Sequence, residues 1–131
     1  MKNIFIFAAV LCITTAALAQ LVDKTPISIS GIIIDNACLD AHKEDLGAFI
    51  KTHVKECAVS AKAAESGYSI YAYGELFKFD KESNPRIARF LKTVKGSLKV
   101  NCLVEKKGQE LKLVSIDSQK KSPKAANKGG E

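Results

Sequence analysis

The sequence predicts a mainly β protein with helices. The expected architecture is a five-stranded OB-like Greek-key barrel, with a long helical insertion between strands 1 and 2 and a short helix between strands 3 and 4. Three observations predict it. Five stretches carry the β-branched runs or the apolar–polar alternation of strands. Residues 39–65 switch to apolar spacings of three and four, the period of a helix face. Asn84-Pro85 is a helix-start signal between the third and fourth strands, where an OB-type chain carries its helix.

The chain opens on Met1-Lys2-Asn3, followed by an uncharged apolar run to Leu18 and by Ala17-Leu18-Ala19. That is the three-part pattern of a cleaved secretory signal over residues 1–19, too short for a comfortable transmembrane span. Residues 20–26 form a leader ending at Pro26, and residues 27–117 form the domain. Ile27 to Asp35 is the first strand. Ile27 and Ile29 alternate with Ser28 and Ser30, Gly31 marks a bulge or bend, and Ile32-Ile33-Ile34 is buried on both faces.

In the helical stretch, Leu46, Ile50, Val54, Cys57 and Ala61 make the apolar stripe, with His53 inside it, and Gly67 ends it. Tyr68 to Tyr73 and Leu76 to Phe79 form a hairpin about Gly74-Glu75, with Tyr68, Ile70 and Ala72 on one face and Ser69, Tyr71 and Tyr73 on the other. Ile87, Phe90, Leu91 and Val94 are the buried stripe of the short helix that follows. Leu98, Val100, Cys102 and Val104 alternate along the fourth strand, and Leu111 to Ile116 is the fifth. Residues 118–131 are basic, lack apolar periodicity and are expected to be disordered.

At 131 residues the chain is one domain at most, which excludes an enzyme with a separate cofactor domain. The net charge of +6 is interspersed and partly confined to the tail, so no basic stripe for nucleic acid emerges and none is expected as a partner. After signal cleavage no span remains. A periplasmic or secreted monomer is expected, with an unidentified envelope ligand or protein as partner and no cofactor.

Taken together, Ser30-Gly-Ile-Ile-Ile-Asp-Asn-Ala-Cys38, His53-Val-Lys-Glu-Cys57, Ser66-Gly67-Tyr68, Phe77-Lys-Phe-Asp80 and Leu98-Lys-Val-Asn-Cys102 resemble a family of small exported bacterial proteins with an OB-like barrel and no settled function. The resemblance covers most of residues 27–117 and implies the barrel and the export. It names no ligand. Two departures stand out: Val59, Ser60 and Ala61 occupy the region where members often carry a further cysteine, and Cys102-Leu103 replaces a Val-x-Gly step.

Cleavage removes Cys12 and leaves Cys38, Cys57 and Cys102. In an oxidising compartment Cys38 and Cys57 are a candidate disulfide tying the helical insertion to the barrel. Closing that loop of about 20 residues is worth about 3 kcal/mol in the chain-entropy picture. The alternative uses the same residues as ligands. Cys38, His42, His53 and Cys57 supply two thiolates and two imidazoles, a donor set suited to Zn²⁺ or Cu⁺, and His53 and Cys57 share a helix face at a spacing of four. Cys102 reads as a core residue.

No Gly-x-Ser-x-Gly, phosphate loop, Gly-x-Gly-x-x-Gly, His-Glu-x-x-His or Cys-x-x-Cys occurs in the chain, and a Cys57–His53 nucleophile pair lacks an orienting group, so no enzyme is expected. The expectation is an exported, non-enzymatic binding or accessory module of the cell envelope. Its barrel face would present Tyr71, Tyr73 and Lys78. The alternative is a metal- or thiol-handling envelope protein built on the Cys/His cluster.

Overall fold

The computed structural model describes residues 24–120. The signal segment 1–19, leader residues 20–23 and tail residues 121–131 lie outside the described residues. Among the described residues the chain is mainly β, with five strands and five helices. In chain order these are β1 (Ile27–Asp35), α1 (Asn36–Ala41), α2 (Leu46–Thr52), α3 (Lys55–Ala58), α4 (Ala61–Ser66), β2 (Tyr68–Ala72), β3 (Glu75–Lys78), α5 (Asn84–Thr93), β4 (Lys99–Lys107) and β5 (Glu110–Ser118). None of the helices there is long and apolar enough to cross a membrane.

The strands form one antiparallel sheet in the order β3-β2-β1-β4-β5. β1 lies at its centre because it serves two partners in succession. Its first part, Ile27 to Ile32, pairs with β4, and Ile32 to Asp35 pairs with β2. Gly31 stands at the handover. A Cβ there would lie 2.4 Å from the Tyr71 carbonyl oxygen and 2.8 Å from Ile70 Cγ1, so the bend expected from the sequence is a close crossing that only glycine permits.

The two sheet edges approach each other at one place. Phe79, just past β3, makes an isolated parallel bridge with Leu111 of β5, and the Asp80 N–H donates to the Leu111 carbonyl at 2.9 Å. Beyond that bridge no ladder joins β3 to β5 among the described residues, so the sheet is curled but not a closed barrel. Asp80 is buried, and its carboxylate accepts from the Ser83 N–H (3.0 Å), the Ser83 hydroxyl and Lys107 Nζ (3.2 Å). Burial works against the charged form, yet these three donors prevail and hold the Asp80 carboxyl below its usual range.

The main core fills the inside of the curl. Ile33, Tyr68, Ile70, Phe79, Val100, Val104 and Leu113 meet Ile87 and Leu91 of α5, all essentially buried. The short helix between β3 and β4 is therefore present, entered through Pro85 as expected. Asn84 is not its side-chain cap. It begins the helix, and its Oδ1 accepts from the Tyr68 N–H instead (3.1 Å). Cys102 belongs to this core, at 1% exposure, and burial pushes its thiol up to about 12, with Asp117 adding to the rise. β5 carries one residue more than β4 beside it, leaving Val114 between the Leu103–Ser115 and Val104–Leu113 pairs. The Arg86 guanidinium of α5 donates to the Leu113 and Val114 carbonyls at 2.8 and 2.9 Å. β5 runs to Ser118, opposite Val100, so the start of the expected tail is sheet.

The long helical insertion corrects the expectation most clearly. It lies between β1 and β2 as expected, but it is four short helices rather than one. Local side chains supply the competing hydrogen bonds. Asp35 caps α1 by accepting from the Cys38 N–H, and Ser60 caps α4 by accepting from the Ala63 N–H. Between α2 and α3 the backbone extends, with ψ 126° at His53 and 154° at Val54. These breaks let the segment wrap the outer sheet face, where Ile34, Phe49 and Ile50 form a second core with Ile32, Leu46 and Tyr71 packed against it.

Candidate metal centre

A group of polar and sulfur side chains lies beside the second core. Asp35, the last residue of β1, has its carboxylate buried at the joint between sheet and helical layer. Its Oδ1 accepts from the Cys38 N–H at 2.8 Å, which fixes Cys38 in the first turn of α1. Its Oδ2 lies 3.5 Å from His53 Nε2. His53 sits just past α2, its N–H donating to the Phe49 carbonyl at 2.7 Å, and its side chain is fully buried against the Phe49 ring. Cys57 is carried on α3, which the buried Tyr68 hydroxyl anchors by donating to the Ala58 carbonyl at 2.9 Å.

This arrangement brings Cys38 Sγ, one His53 ring nitrogen and Cys57 Sγ within 4.8 Å of one another. Cys38 sits in α1, His53 in the extended break after α2 and Cys57 in α3. Cys38 is half-buried, Cys57 is exposed, and both are free thiols. The disulfide expected between them is not formed in the structure, although the two sulfurs share one cluster.

The cluster is polar, buried at Asp35 and the His53 side chain and open at Cys57, and incompletely satisfied. Asp35 Oδ2 and both ring nitrogens of His53 have no hydrogen-bond partner among the described residues. Three orphaned buried polar atoms in one place are costly, at about 1–3 kcal/mol each. A cation coordinated by the imidazole and facing the carboxylate removes that penalty. Burial lowers the His53 pKa, against the pull of Asp35, which favours the neutral ring that a metal needs. Burial pushes the Cys38 thiol up to about 11, with Asp35 and the Cys57 thiol adding to the rise. That makes Cys38 a poor nucleophile by itself, while a bound cation deprotonates such a thiol outright.

His42, the fourth residue of the expected ligand set, is held elsewhere. Its Nδ1 lies 3.1 Å from Asp45 Oδ1 and its ring stacks on Phe49 at 4.3 Å, which puts Phe49 between the two imidazoles. Asp35 is the residue the sequence reading missed. In the sequence it ends a strand, although Asp-Asn directly before a helical stretch is itself a capping signal.

The expected ligand face on the hairpin is dispersed. Tyr71 is half-buried under the helical layer. Tyr73 is a turn residue at φ 55°, 77% exposed, rather than a member of the strand face. Lys78 pairs opposite Ser69, and its ammonium lies 3.7 Å from Glu110. The shallow groove that Lys78 lines, with Asn36, Leu39 and Leu76, includes neither tyrosine. No family model, no curated protein and no solved structure matches this chain in the three comparisons.

Proposed function

We propose that this protein is a small exported binding module that holds one soft d¹⁰ cation, Zn²⁺ or Cu⁺, between Cys38, His53 and Cys57. The observation that carries the reading is the fully buried His53 ring, whose two nitrogens have no hydrogen-bond partner among the described residues, one of them within 4.8 Å of both thiols. Two thiolates and an imidazole are soft donors of the kind these ions select. Asp35 stands behind the ligands as the carboxylate that orients the histidine. The role is binding rather than turnover, and the exposed Cys57 makes the ion accessible from solvent.

The fold that carries the site is read as OB-like. Its support is the strand order β3-β2-β1-β4-β5, the long split β1, the helix between β3 and β4, and the parallel contact of Phe79 with Leu111 where a barrel would close.

The test is titration of the fully reduced chain with Zn²⁺ against a competing chelator, under anaerobic conditions. The expected result is one ion per chain, bound at least about 100-fold more weakly after Cys38→Ser, His53→Ala or Cys57→Ser. That margin exceeds the 10–100-fold of an outer-shell change. His42→Ala leaves the affinity unchanged. A reduced chain that takes up no ion, or one that depends on His42 and not His53, overturns the reading.

A further inference from the structure

We infer that Cys57 is a site of thiol–disulfide exchange, at which a small-molecule disulfide closes a Cys38–Cys57 bond and expels the ion. The ion-expelling half of this inference rests on the metal reading above; the exchange half rests on the geometry of the two thiols alone.

The described thiols differ sharply in access. Cys57 is exposed, Cys38 is half-buried and Cys102 is at 1% exposure within the main core. An incoming disulfide therefore meets Cys57 first, since exchange needs an accessible sulfur. Cys38 is the sulfur placed to follow. It lies within 4.8 Å of Cys57, and its backbone is fixed by the Asp35 cap. A disulfide needs a sulfur separation of about 2 Å. A change of Cys57 side-chain rotamer moves its sulfur by about 3 Å, a displacement of the size of the gap to be closed. α3 itself stays where the Tyr68 hydroxyl anchors it, so only the Cys57 side chain has to move.

The step balances. Cys57 thiolate attacks RS–SR, forming Cys57–S–S–R and releasing RS⁻. Cys38, deprotonated by the cation in the loaded chain or losing its proton to the RS⁻ already released in the ion-free one, then attacks the Cys57 sulfur, forming Cys38–S–S–Cys57 and releasing the second RS⁻. The two chain sulfurs are oxidised by two electrons, and the small disulfide is reduced to two thiols. In the ion-free chain the two thiol protons end on the two RSH. In the loaded chain the thiolates carry no protons, and the cation leaves with the two RS⁻. Only His53 of the three ligands survives, and one imidazole does not hold the ion.

The experiment treats the reduced, Zn²⁺-loaded full chain with oxidised glutathione. It reads released Zn²⁺ with a chromogenic chelator and the sulfur linkages by non-reducing peptide mapping. The expected result is one equivalent of Zn²⁺ released as Cys38 and Cys57 peptides become cross-linked, with Cys102 unmodified and binding restored by dithiothreitol. In Cys38→Ser the glutathione adduct accumulates on Cys57, because nothing resolves it. Retention of Zn²⁺ by the cross-linked chain, or an adduct that settles on Cys57 of the unsubstituted chain without cross-linking, overturns the inference. A reduced chain that binds no Zn²⁺ yet still forms the Cys38–Cys57 cross-link overturns the metal reading and supports the exchange.

Discussion

Replacing Asp35 by asparagine separates the two tasks of that side chain. Its Oδ1 caps α1 through the Cys38 N–H at 2.8 Å, and an asparagine oxygen caps nearly as well. Its Oδ2 faces His53 Nε2 at 3.5 Å, and there the substitution removes a negative charge beside the proposed ion. The fold should therefore change little, by about 0.5 kcal/mol or less, the difference between two good caps. Zn²⁺ affinity should fall about 10–100-fold, the usual effect of losing the partner of a ligating histidine and equivalent to about 1.4–2.7 kcal/mol. The assay pairs chelator competition with urea unfolding of the ion-free chain. An Asp35→Asn chain that binds Zn²⁺ as tightly as its parent refutes the positioning argument. A large loss of ion-free stability shows instead that the carboxylate serves the fold.

Three further outcomes follow from the fold. Gly31→Ala should destabilise the chain by about 1–3 kcal/mol, since its Cβ would meet the Tyr71 carbonyl at 2.4 Å; an unchanged urea midpoint refutes the close crossing of β1 over β2. Asp80→Asn should be markedly less stable than its parent near neutral pH. Because the folded Asp80 carboxyl is held below its usual range, its contribution is full above the unfolded value near 3.9 and disappears as pH falls through the folded one. The gap between parent and variant should therefore close in acid, and a gap independent of pH refutes the assignment. Tyr73→Asn should raise stability by about 0.5–1 kcal/mol, because a non-glycine residue at φ 55° beside Gly74 at φ 81° occupies a turn that Asn-Gly fits best; a lower melting temperature indicates that the tyrosine ring makes a contact worth more than the strain.

The strands were legible where one face is dry and the other wet. Val100, Cys102 and Val104 alternate with Lys99, Asn101 and Leu103, and the structure buries the first set. The helix between β3 and β4 was legible for a local reason, Pro85 followed by Ile87 and Leu91 at helical spacing. The insertion was not, because periodicity counts apolar residues and ignores hydrogen bonds that side chains offer the backbone. Ser60 sits inside an unbroken apolar stripe yet starts a new helix by capping it. The site shows the same division. Its ligand types were visible in the chain, but their meeting depends on breaks at His53 and Val54 that no spacing rule contains. His42 has the right chemistry and is lost from the cluster to a local contact with Asp45, three residues on, and to stacking on the Phe49 ring of α2.

The Arg86 contacts with the outer strand bear on what that edge offers to another chain. An edge strand exposes backbone carbonyls that invite another chain to add a strand. On β5 the bulge at Val114 interrupts the even row of such groups, and the Arg86 guanidinium occupies the Leu113 and Val114 carbonyls as a forked cap. The opposite edge, β3, is only four residues long and carries Glu75 and Lys78, each exposed. One flank is thus chemically quenched and the other is short and charged. A sheet guarded on both flanks offers another chain little to extend, whatever the helical layer on its outer face does.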